Sequence, residues 1–154
     1  MGNRKGQGKG KGGATKSIPT PKLSNGQIPF PTIPASELLS FSFKYLDCIH
    51  PKFSFRNREV AYYSKIFERM KNICTMKIGE IKNTYGNSKA LRCHSIEWSK
   101  TSEPDGFSCL NEQLRQQEPY QFCISQSAYG RVVGFIVDSV FFVVWFDHDH
   151  ALYS

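Results

Sequence analysis

Asp147, His148, Asp149, His150 and Tyr153 all fall within the last eight residues of the chain. Imidazoles titrate near neutrality, and a neighbouring carboxylate can hold one in a single tautomer, so this grouping has the side chains for acid–base work. Arg131 opens the preceding apolar segment. A guanidinium there can hold a phosphate or pair with a carboxylate. His148 and His150 also form an HxH pair, which on one strand face can grip zinc with imidazole nitrogens about 2 Å from the ion. Further histidine ligands would have to be His94 and His50, the only others in the chain. The third reading is that a buried strand reaching solvent simply needs polar residues.

Whichever holds, the elements before the grouping must position it. Val140 to Phe146 is unbroken apolar sequence, Arg131–Val137 is nearly so, and Asp138-Ser139 is a two-residue link between them. This predicts a hairpin of two strands covered on both sides, with Phe141, Val143 and Trp145 on one face and Phe142, Val144 and Phe146 on the other. If the last strand continues extended, His148 and His150 share a face. Upstream, Phe41, Phe43 and Tyr45 alternate with Ser40, Ser42 and Lys44 as in a half-buried strand. From Asn57, a candidate N-cap, Val60, Tyr63, Phe67, Met70 and Cys74 recur at helical spacing, flanked by Tyr62, Ile66 and Ile73. Thr75 is placed to cap a second helix from Met76 to about Asn83, ended by Gly86. Strands are expected at 91–98 and 120–125, with a short helix within 107–117. The order predicts an α+β domain: an antiparallel sheet of about four to five strands with two helices packed on one face.

Residues 1–36 differ in kind. They hold Arg4, Lys5, Lys9, Lys11, Lys16 and Lys22 without one acid, first in Gly/Lys repeats and then in a proline-rich run. Such a stretch buries too little apolar surface to order itself, so a disordered tail (1–36) followed by a single domain (37–154) is expected. Residues 37–154 carry fourteen basic and thirteen acidic side chains, so the basic character belongs to the tail. Arg4, Lys5, Lys9, Lys11 and Lys16 are candidates for tracking a nucleic-acid backbone by counterion release. A solubilising tail explains them equally well.

Five scattered cysteines without a CxxC spacing, and no N-terminal apolar run, favour free thiols in a reducing compartment and a cytoplasmic protein. The longest apolar run is seven residues, against the ~20 needed to cross a bilayer. No motif calls for a metal or cofactor.

The segment GRVVGFIVDSVFFVVWFDHDHALY, Gly130–Tyr153, resembles the end of RelE/ParE-type toxins, in which a basic strand, a short turn, an apolar strand and a terminal His…Tyr element follow one another. It also resembles a group of uncharacterised small bacterial proteins ending in the pattern GF…F…W.D..H.LY. The toxin resemblance implies a metal-independent endoribonuclease. In it Arg131 takes the basic strand position that holds phosphate, His148 or His150 the acid–base position, and Tyr153 the terminal aromatic. Its partners would be RNA or the ribosome, and a cognate antitoxin. The sheet of this chain departs from that family in offering Arg131 as its only basic residue between Tyr120 and Asp147. Two alternatives remain open: a non-catalytic RNA- or ribosome-binding module using the basic arm, and a regulator that binds another protein.

Overall fold

The computed structural model describes residues 37–83, 92–125 and 128–154. They form an α+β unit around a five-stranded sheet in the order β1-β5-β4-β3-β2. The strands are β1 (Ser40–Ser42), β2 (His94–Ser95), β3 (Pro119–Cys123), β4 (Arg131–Val137) and β5 (Val140–Asp147). Four of them pair antiparallel, while β1 adds to the edge parallel to β5. The helices are α1 (Val60–Ile73), α2 (Ile78–Asn83) and the short α3 (Glu112–Arg115). The expected helix end at Gly86 and the tail 1–36 lie outside the described residues.

α1 covers one face of the sheet. Its buried positions are Tyr62, Ile66, Met70 and Ile73, while Val60 and Phe67 are exposed. The apolar stripe is therefore rotated by about one residue from the one that begins at Val60. The rotation follows from where the chain enters the helix. Asn57 is not the N-cap: it adopts the left-handed conformation (φ 57°), which asparagine tolerates better than most residues. Glu59 occupies the cap position and makes no side-chain cap hydrogen bond. The Tyr63 hydroxyl donates to the Phe55 carbonyl (2.7 Å) and accepts from the Arg58 amide (3.2 Å), tying the helix to the loop before it. At the far end the Thr75 hydroxyl donates back to Asn72, and Glu80 rather than Thr75 caps α2 by accepting from the Lys77 amide.

Tyr62, Ile66, Met70 and Ile73 pack with Val132, Ile136, Phe141, Val143 and Phe146 of the central strands. On the other face, Phe53, Phe107, Leu152 and Ile96 close over Val133, Phe135, Val144 and Trp145, with Leu114 of α3 against them. Both faces of β4 and β5 are thus covered, as their uninterrupted apolar sequence requires.

The alternation along β5 breaks once. Val133 pairs with Trp145, but the next residue, Gly134, pairs with Val143, so Val144 is an extra residue in β5. Phe141 and Val143 face α1. Val144 and Trp145 both face away, and Phe146 faces α1 again. The Val144 carbonyl, turned out of the ladder, accepts from the Asp47 amide at 2.9 Å. Gly134 is needed beside this bulge, because a Cβ there would strike the Phe142 carbonyl. The bulge shifts the phase of the residues that follow it in the strand, and with them His148.

Candidate active site

β5 ends at Asp147, and the backbone then turns. Asp147 is 1 % exposed, and its carboxylate accepts from the amides of Ala151 (2.7 Å) and Leu152 (3.2 Å). These bonds close a terminal 3₁₀ turn, Ala151–Tyr153, preceded by His150 in the left-handed conformation (φ 58°). Burial pushes the Asp147 carboxyl above the usual range, against the pull of the two amides, His150 and Arg131. Its role is to fix the end of the chain.

The sequence candidates divide between the two faces of the sheet. Arg131 pairs across the ladder with Asp147, on the face of Val133 and Trp145, and donates to the Gly130 carbonyl (3.2 Å). His150 is exposed near Asp147. Tyr153 is half exposed beside Glu97 and Lys100. His148 alone follows the phase set by the bulge to the α1 side, where its ring meets Tyr62 edge-on at 4.6 Å and 82°. The HxH pair does not share a face, because the chain leaves the extended conformation before His150. His50 stacks on Phe53 (4.6 Å) and accepts from the Lys52 and Phe53 amides. His94 lies with its Nε2 2.6 Å from the Gln121 amide nitrogen. Among the described residues no three His, Cys, Asp or Glu side chains gather as a metal would require.

His148 instead joins residues of a different segment. A cleft of about 360 Å³ is lined by Asn57, Arg58, Glu59, Tyr62, Tyr129 and His148. Arg58 projects from the turn before α1 and is held by Asp149, Nη2 to Oδ2 3.1 Å. The other oxygen of Asp149 lies 3.7 Å from His148 Nε2. A proton on Nε2 would face that carboxylate and leave Nδ1 free to accept. Gly130 (φ 71°) packs so closely against the backbone of Asp147 and His148 that a Cβ there would collide with both, so the β3–β4 connection fixes the histidine from behind.

Arg58 Nε, Tyr62 Oη and His148 Nδ1 are all buried and have no hydrogen-bond partner among the described residues. Folded proteins rarely leave such atoms unpaired, because each costs the desolvation that a bond would offset. The three residues that carry them line this one cleft, at the start of a 14-residue helix whose N-cap residue, Glu59, lines it too. Burial holds the Tyr62 phenol well above the ordinary tyrosine value, with Arg58 pulling the other way. Tyr62 is therefore a hydrogen-bond donor at neutral pH. The lining of the cleft therefore brings together two donor side chains and an imidazole, with the Glu59 carboxylate beside them at the start of α1.

Arg58 and Tyr62 do not stand out in the sequence. Tyr62 reads as a core flank of the helical stripe and Arg58 as one more charge before it. A tyrosine on the buried side of an amphipathic helix, four residues after an arginine, is the signal that was available. No family model, curated protein or solved structure matches this chain, so what the cleft does has to be read from its own atoms.

Proposed function

We propose that this protein cleaves single-stranded RNA without a metal, and that the cleft of Arg58, Tyr62 and His148 carries the reaction. The supporting observation is that Arg58, Tyr62 and His148, each carrying a buried side-chain atom with no hydrogen-bond partner among the described residues, line one cleft at the start of α1. Arg58 Nε and the Tyr62 hydroxyl would donate to the non-bridging phosphate oxygens, on which charge builds in the transition state. His148 Nδ1 would take the proton of the adjacent 2′-hydroxyl as the 2′-oxygen bonds to phosphorus. The bond from phosphorus to the 5′-oxygen then breaks, and the proton carried by the imidazole passes to that oxygen. The products are a 2′,3′-cyclic phosphate and a 5′-hydroxyl, with no water consumed. Asp149 holds the guanidinium and lies beside the imidazole.

The test is cleavage of labelled single-stranded RNA in excess chelator, followed by analysis of the product ends. Replacing Arg58 by Gln or His148 by Gln is expected to lower the rate at least about a hundredfold, the scale of losing a preorganised donor or a general base. Activity that survives Arg58→Gln and His148→Gln but disappears in Arg131→Ala would place the chemistry on the opposite face and refute this assignment.

A further inference from the structure

We propose that Tyr129 is a stacking platform for one nucleobase of the RNA, beside the phosphate held by Arg58 and Tyr62; this rests on the reading of the cleft given above. Tyr129 has φ 64°, a left-handed backbone that is an outlier for so bulky a residue. It is followed by Gly130 at φ 71°, so two consecutive left-handed residues turn the chain into β4. The glycine is needed for its close approach to Asp147 and His148. The tyrosine is not needed for the turn, since asparagine or glycine would adopt the same backbone with less strain. Strain of this kind concentrates at binding and catalytic positions.

What the strained backbone achieves is to set a ring in the wall of the cleft. Tyr129 is half-buried and lines the cleft with Arg58 and His148. Its ring centroid is 6.3 Å from that of Tyr62, at 34°, so the two phenols stand side by side along one wall. A second left-handed residue, Asn57, lines the same cleft. At about 360 Å³ the space suits one small group rather than a duplex. An aromatic face next to phosphate donors is the pairing by which proteins take up an unstacked base from a single strand.

The experiment measures binding of the full chain to a short labelled 2′-O-methyl oligoribonucleotide, which cannot be cleaved, and to versions with one abasic position each. Stacking on Tyr129 is expected to make the intact strand bind about 5- to 100-fold more tightly than the worst abasic version. Tyr129→Asn keeps the left-handed turn and is expected to erase that difference without weakening the abasic strand, while Tyr129→Phe preserves it. Equal binding of intact and abasic strands, no binding of either, equal weakening of both by Tyr129→Asn, or a difference that persists in Tyr129→Asn would each overturn the proposal. Cleavage is read separately. Base-dependent binding through Tyr129 without any cleavage removes the catalytic reading and leaves the platform, whereas cleavage with no base dependence removes the platform alone.

Discussion

Tyr62 and Tyr63 are adjacent on α1, and removing their hydroxyls should have opposite effects. The Tyr62 side chain is 1 % exposed, and its hydroxyl has no hydrogen-bond partner among the described residues. The Tyr63 hydroxyl makes two bonds, to the Phe55 carbonyl and from the Arg58 amide. A buried hydroxyl without a partner costs about 1–3 kcal/mol of desolvation that nothing offsets. Tyr62→Phe is therefore expected to stabilise the free protein by about 1 kcal/mol, raising the melting temperature by about 4 °C for a unit of this size. Tyr63→Phe removes two bonds and strands an amide, so it is expected to destabilise by about 1–2 kcal/mol. The same pair separates at high pH. The folded-state pKa of Tyr62 lies above its unfolded value, so its contribution to stability is complete below about pH 10 and is lost as pH rises beyond that. Tyr62→Phe should flatten this alkaline limb and Tyr63→Phe should leave it. Under the proposed cleavage, Tyr62→Phe should also slow the reaction by about tenfold or more, because it removes one of the proposed donors to phosphate. Calorimetric or denaturant unfolding from neutral to alkaline pH, with the cleavage assay alongside, tests every part. If Tyr62→Phe is as destabilising as Tyr63→Phe, the hydroxyl is satisfied in the folded state, and the inference that the cleft awaits a ligand fails with it.

Two further outcomes concern the scaffold and the thiols. Asp147→Ala strands the Ala151 and Leu152 amides, and should cost about 2–3 kcal/mol by denaturant unfolding, whereas Asp147→Asn, which keeps an acceptor, should cost less. Equal losses in the two would show that charge rather than hydrogen bonding fixes the terminal turn. Burial pushes the Cys93 thiol up to about 12, and Cys123 is fully buried, while the Cys109 residue is exposed, its thiol also raised by partial burial and by Asp47. Alkylation of the native protein near neutral pH, read by mass spectrometry, should label Cys109 and spare Cys93 and Cys123 until the chain is unfolded.

Much of the frame was legible because it depends on local pattern. Two runs apolar on both faces, joined by Asp138-Ser139, force a central hairpin, and Asp138 supplies the positive φ (54°) that the tight link needs. The amphipathic run after Asn57 forces a helix against the sheet. The α+β class follows from these alone. The exact helical face was less legible, since Tyr62, Ile66, Met70 and Ile73 and their neighbours Val60, Tyr63 and Phe67 offer two stripes one residue apart. In the fold the Tyr62 stripe is the buried one, and Tyr63 turns its hydroxyl to the loop before the helix.

The site turned on a longer-range event. Strict alternation along β5 would send His148 to the face of Arg131. The single extra residue at Val144 reverses the phase, because a strand's side chains alternate with period two and one inserted residue exchanges the faces. Nothing in VFFVVWF marks where that residue falls, since every position in it is apolar. The bulge is fixed by partners distant in sequence: Gly134, which lets β5 approach, and Asp47, whose amide takes the Val144 carbonyl. Local chemistry therefore determined that a greasy hairpin would end in ionisable side chains. Only the packing of the whole chain decided that His148 would meet Arg58 and Tyr62 rather than Arg131, because that choice depends on one change of register stabilised by residues far along the chain.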